Sequence, residues 1–168
     1  MTSFLLFTLH APLASWGEIA VGEWRGSWDR PSRSALLGLL GAALGLLRDD
    51  AAAHAALTDG YGVGVRNDAM GNTMQDYHTT QSVSRVEMRR SAARTRADMM
   101  AVADKQTILS KREYREDVVF TVAVWQTGSA RWPLDALANA LRRPVFALYA
   151  GRRSNPLGLP VHPAVVEA

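Results

Sequence analysis

Cysteine is absent from the 168 residues, which removes disulfides, thiolate metal sites and cysteine nucleophiles together and is compatible with a reducing compartment. Lysine is nearly absent: 17 of the 19 basic residues are Arg. That bias suits recognition of planar phosphate and base edges, and a GC-rich genome also produces it. No apolar run approaches a membrane span; the longest, residues 35–47, carries three glycines and stops at Arg48-Asp49-Asp50. The amino-terminal apolar run lacks a basic leader and is broken at Thr8 and His10, too short for a signal core. These absences read as a cytoplasmic protein with no membrane partner. The four histidines show no metal-ligand spacing, and neither a carboxylate cluster nor a serine elbow is present. No metal and no cofactor is therefore expected.

What is there suits one domain over residues 1–168, with 48% hydrophobic residues to build a core and a net charge of only +3. Residues 3–10 are β-rich and apolar, as in a central strand buried on both faces, and residues 18–30 read as an irregular loop rich in Trp and Arg. Pro31-Ser32-Arg33-Ser34 offers a helix entry with Ser32 or Ser34 as cap, followed by a helix over 35–47. Gly38, Gly41 and Gly45 recur in it at helical spacing, which predicts close packing of helix on sheet; a phosphate loop is disfavoured because no Gly-Lys-Ser/Thr follows. A short helical turn at 51–57 precedes an alternating strand at 61–66. Residues 67–115 then turn polar, too long a stretch for an ordinary loop. Residues 118–125 are the clearest strand, Pro133 opens a helix in the N1 role, and 145–149 read as a last short strand. The order β, α, β, insertion, β, α, β predicts an α+β, ferredoxin-like βαββαβ sheet of the kind shared by RNA-recognition motifs.

Charge is concentrated in the insertion. Arg85, Arg89, Arg90, Arg94, Arg96, Lys105, Lys111, Arg112 and Arg115 stand there against Glu87, Asp98, Asp104 and Glu113. A cationic arm of this density is what a phosphate backbone demands, and a solvated charged helix is the plainer alternative. Aromatics punctuate it: Tyr77 and His78 before, Tyr114 at its end, with Trp16, Trp24 and Trp28 on the first loop. Unpaired bases stack on such rings, although each Trp also serves as a packing residue. Gly151-Arg152-Arg153-Ser154-Asn155-Pro156 follows a strand and offers two guanidiniums and a hydroxyl, or else is an exposed turn. Arg25 and Arg33 flank the helix entry, where an anion is favoured. Tyr77, His78 and Lys105 or Lys111 nominally supply the base and cation of a metal-free RNA cleavage site.

The segment Leu9-His10-Ala11-Pro12-Leu13-Ala14-Ser15-Trp16-Gly17 resembles the opening signature of the Cas five family of CRISPR-associated proteins. Residues 30–42 through Arg48-Asp49-Asp50 are similar to its type I-E branch. Asp76-Tyr77-His78-Thr79, Lys111-Arg112-Glu113-Tyr114, residues 120–125 and the Gly151 loop extend the likeness in order along nearly the whole chain.

The resemblance implies a ferredoxin-like domain with a thumb, here residues 67–115, in the multisubunit Cascade effector. It implies a non-catalytic subunit gripping the repeat-derived 5′ handle of crRNA beside a backbone subunit and a large subunit, with target DNA reached through the guide. In the type I-C branch a homologue cuts precursor RNA, which is the enzymatic alternative; a structural ferredoxin-like domain without nucleic acid is the third. Relatives continue some tens of residues past the Gly-Arg-Arg loop, so a C-terminal strand region is expected to be missing or not included, and Asn155 stands where cysteine is expected.

Overall fold

The computed structural model describes residues 1–102 and 104–168. Strand β1 (Ser3–Ala14) alternates, with Leu5, Phe7, Leu9 and Ala11 buried and their neighbours half-buried. The strand is thus central but covered fully on one face only, which corrects the expectation of burial on both. It also runs four residues further than expected, through Pro12. Proline is tolerated because the outer edge of β1 is paired by another strand only over Ser3 to Leu6.

The first loop is less irregular than its composition suggests. It holds β2 (Trp16–Gly17), β3 (Trp24–Arg25) and β4 (Ser27–Trp28), with β2 and β4 paired to each other.

Helix α1 (Arg33–Leu44) starts at Ser32, whose hydroxyl accepts the Ala35 N–H at 3.2 Å. It stops at Gly45, which takes φ +78° while the N–H groups of Gly45 and Leu46 bond back to Ala42 and Gly41. Gly45 is therefore a cap, and Leu46 and Leu47 lie beyond the helix. A Cβ on Gly38 would meet nothing within 4 Å, and one on Gly41 would make only ordinary contacts. Close packing of helix on sheet is not what these glycines provide.

Helix α2 (Ala51–Gly60), capped by Asp50, runs straight into β5 (Tyr61–Ala69). Residues 67–115 are built rather than irregular. After β5 come β6 (Asn72–Ser82), α3 (Arg85–Ser91), α4 (Arg96–Ala101) and β7 (Gln106–Gln126). The 21-residue β7 serves two structures. Its second half lies between β1 and β5, antiparallel to both, and its first half pairs with β6 from Gln106 to Glu116. At about 3.4 Å per residue, the 11 pairs of that ribbon span about 37 Å, and its inner end, from Lys111 on, still lies against β3 and β1. At the joint Gly71 takes φ +61°, and a Cβ there would lie 1.7 Å from the Glu116 carbonyl oxygen; only glycine fits. Asp117, on the facing strand, also has positive φ.

Helix α5 (Leu134–Arg142) has Pro133 as its N-cap, one position outside the expected N1. Residues 145–149 do not form a strand: they run along α1, with the Val145 and Phe146 N–H groups bonded to the Ala43 and Ala42 carbonyls. The edge beside β1 is taken instead by β8 (Ala164–Glu167). Thr2 and Ala168 close the pairing of β8 with β1 through reciprocal backbone bonds. Across the body the strands run β8-β1-β7-β5, with β3 added parallel to β7 where β1 ends. Leu36, Leu40, Leu57, Leu137 and Leu141 pack against the buried residues of β1 and against Val118, Phe120, Val122 and Val124, forming one core between helices and sheet.

Candidate nucleic-acid interface

Alternation along the ribbon sorts its side chains into two faces. Asp76 and His78 share one face with Arg112, Ser110 and Tyr114, while Tyr77 and Lys111 pair on the other. The residues nominated for metal-free cleavage are thereby split, with His78 on the face opposite Tyr77 and Lys111, and Lys105 just outside the paired ladder. Tyr77 is 55% exposed, as a stacking ring requires.

On the first face a polar chain crosses the base of the ribbon. His78 Nε2 lies 2.8 Å from Asp76 Oδ2 and 3.2 Å from the Tyr114 hydroxyl. A carboxylate only accepts, so in the contact with Asp76 the His78 ring nitrogen is the donor. Tyr114 is buried, and the Arg152 guanidinium lies 4.7 Å from its ring centroid, a cation–π contact. Among the described residues Arg152 Nη1 has no protein partner although it is buried, and the same holds for Arg115 Nε and Trp16 Nε1. Unmet buried donors of this kind are costly unless an acceptor arrives.

The Gly151 loop is fixed by its own backbone. A Cβ on Gly151 would lie 1.9 Å from the Ser15 carbonyl oxygen, at φ +85°, so this glycine serves contact between the loop and the end of β1. The Ser15 N–H donates to Ala150, and fully buried Asn155 closes the loop through Ala150 at both its backbone and side chain. The Ser154 hydroxyl donates to Asn155 Oδ1, whereas Arg153 is exposed.

The remaining nominated residues divide. Trp16 is 4% exposed, edge-on to Phe120, and is a core residue rather than a stacking platform. Arg33 donates to the carbonyls of Thr58 and Tyr61, tying α1 to the end of α2 away from the ribbon. Arg25 sits opposite Arg112 on β3 with its Nη1 donating to Gly22 and Trp24. Arg85, Arg89 and Arg90 lie on α3 and Arg94 in the link to α4, all exposed; among the described residues none of the four joins an ion pair. The two helices stand on short capping motifs: Ser84 accepts from the Glu87 N–H, and Thr95 and Asp98 cap each other. The N–H groups of Thr95 and Arg94, with the Thr95 hydroxyl, hold the Asp98 carboxyl below its usual range.

Asp76 and Ser15 belong to this junction and were not among the nominated residues. The signal for Asp76 was present, since a carboxylate and an imidazole two apart on a strand share a face. Among the described residues no three His, Asp or Glu side chains cluster to hold a metal, and no helix is long and apolar enough to cross a membrane.

The family model described as CRISPR-associated protein (Cas_Cas5) matches residues 4–168. The chain belongs to the Cas5 family. Within that family it is similar to the CRISPR system Cascade subunit CasD of Escherichia coli (strain K12), 34% identical over 169 residues, which covers 96% of this chain and 70% of the relative. A chain of a solved CRISPR RNA-guided surveillance complex is 33% identical, with a TM-score of 0.69 over 94% of this chain and 61% of that one. A Cas protein crystal structure follows at 28% identity and a TM-score of 0.60, again over 94% and 61%. This Cas5-family chain therefore spans about three-fifths of the length of those two solved chains. The mixed sheet-and-helix fold is shared with them.

Proposed function

We propose that this chain is a subunit of a CRISPR RNA-guided surveillance complex of the Cascade kind, holding the 5′ handle of crRNA without cutting it. The observation that carries the reading is the placement of Arg85, Arg89, Arg90 and Arg94, exposed and, among the described residues, outside any ion pair, at the far end of a ribbon about 37 Å long. Around a strand of RNA such a ribbon acts as a thumb. Its base offers the Asp76–His78–Tyr114–Arg152 chain and the unmet donors of Arg115 and Arg152, suited to phosphate oxygens. The order β8-β1-β7-β5, antiparallel throughout, supports a ferredoxin-like body. Backbone and large subunits would flank it, and target DNA would be reached through the guide. The likeness to CasD and to a chain of a surveillance complex supports the same assignment.

Separation of His78 from Tyr77 and Lys111 speaks against the cleavage reading. The test incubates the full chain with labelled repeat RNA without metal. Binding with the RNA left intact is the expected result. Site-specific cleavage abolished by His78→Ala would establish an endoribonuclease instead, and failure to bind both alone and in the assembled complex would leave a structural domain without nucleic acid.

A further inference from the structure

Between β2 and β3 the chain makes a short closed loop. Its neck is shut by the Glu18 N–H, which donates to the Gly26 carbonyl at 3.2 Å, and its tip by a bridge in which the Trp24 N–H donates to the Val21 carbonyl at 2.9 Å. Arg25 Nη1 donates to the Gly22 carbonyl at 2.7 Å, and Gly22 makes the turn at φ +55°. The Lys111 N–H donates to the Glu23 carbonyl at 3.0 Å, which fastens the loop to β7 at the inner end of the ribbon. A loop tied at these points holds in one place whatever its tip carries.

The tip carries apolar side chains. Among the described residues, Ile19 and Val21 are the most exposed large hydrophobics after the terminal Met1, at 82% and 71%, and Trp28 on β4 is exposed as well. Single apolar side chains are ordinary on a surface; two that flank an exposed Ala20 at the tip of a braced loop are a concentration that calls for cover. Both are β-branched, so little rotamer freedom is left to lose on burial.

The charge around them is acidic. Residues 18–29 contain Glu18, Glu23 and Asp29 against Arg25 alone, although the whole chain carries +3. The Arg25 guanidinium is turned back on the loop, donating to the Gly22 and Trp24 carbonyls. Aliphatic groups offer no plane for a base to stack on, and carboxylates repel phosphate. The tip therefore suits a protein surface and disfavours RNA, even though it stands beside the ribbon.

We propose that this tip docks into an apolar socket with a basic rim on a neighbouring protein subunit of the surveillance complex, Ile19 and Val21 entering the socket and Glu18 and Glu23 meeting the rim. The inference rests on the Cascade-like reading above and adds to it a protein contact separate from the cationic charge of the ribbon.

The test assembles the full chain with the backbone and large subunits and a guide RNA, and compares the wild type with Ile19→Ser/Val21→Ser and Glu23→Lys. All three side chains are exposed, so these substitutions leave the core untouched. Assembly should weaken about tenfold or more for the double variant and measurably for Glu23→Lys, while the affinity of the full chain for labelled repeat RNA stays at the wild-type value. A benzoylphenylalanine in place of Val21, photo-activated in the assembled complex, should crosslink to a protein subunit. Wild-type assembly by the double variant, or a crosslink to RNA or to nothing, would overturn the docking tip and leave the RNA-holding reading standing. Loss of RNA affinity in the double variant would overturn it too, by placing the tip in the RNA site. So would self-association of the isolated wild type that the double variant abolishes, since a second copy would then be the occupant. If the wild type neither joins the complex nor binds RNA, both readings fall.

Discussion

Tyr61 is the largest fully buried side chain, and its hydroxyl both donates to the Trp132 carbonyl at 2.6 Å and accepts the Trp132 N–H at 2.7 Å. One phenol thus locks the turn before α5 to the start of β5. Burial pushes its pKa above the usual 10.0, with the Trp132 backbone bond partly offsetting the rise. A group whose pKa is raised on folding adds stability that is complete below its unfolded value and is lost as pH climbs through the folded one. Stability should therefore fall in strongly alkaline solution, and Tyr61→Phe should remove that component of the fall. At neutral pH the same substitution should cost about 2 kcal/mol, because two hydrogen bonds go and a half-buried N–H is left to find water. Denaturant midpoints at neutral and alkaline pH, for wild type and variant, give both quantities; parallel pH profiles would show that Tyr61 does not carry the alkaline loss.

The proposed function turns on the ribbon, where charge that would position RNA can be told from charge that only solvates. If Arg89 and Arg94 touch phosphates, each substitution by Ala should lower the slope of log affinity against log salt by about 0.7, the value for one phosphate of a single strand. Arg96 is already engaged with the Gln81 carbonyl at 2.8 Å, so Arg96→Ala should unsettle the α4 end of the ribbon more than it changes the slope. Unchanged slopes for Arg89 and Arg94 would turn those side chains to solvent or to a protein neighbour. How much of this element was readable follows from its pattern. The cationic density was plain, but Gln106 to Glu116 is a strand of mostly polar residues without apolar alternation, held by pairing with β6 rather than by a core. Ser32 was legible as a cap because a hydroxyl three residues before its partner N–H is a local signal. The opposed faces of Tyr77 and His78 became visible only once β6 was known to be a strand. The stacking of Arg152 on Tyr114 joins positions 38 apart, beyond any local rule.

At the scale of the molecule, the sheet closes through its shortest contribution. Residues 145–149 look more like a strand than 164–167 does, being β-branched, aromatic and apolar. The fold reverses that order of preference: Val145 and Phe146 are spent on α1, while β8 pairs Ser3 to Leu6 and sets Val165 against the core. Without β8, the amino-terminal half of β1 would be an open edge with apolar residues on both faces, the arrangement most prone to pairing between copies. Deleting residues 164–168 removes four strand pairs, the reciprocal bonds between Thr2 and Ala168, and the cover of Val165. From the lost burial and hydrogen bonds the expected destabilisation is about 2–3 kcal/mol, accompanied by concentration-dependent association. Chemical denaturation and light scattering measure the two effects separately. The deletion should leave the ribbon and its salt slope intact in the fraction that stays folded, since no ribbon residue pairs with β8. A deletion variant as stable and as monomeric as the wild type would mean that β1 does not depend on β8 for its edge.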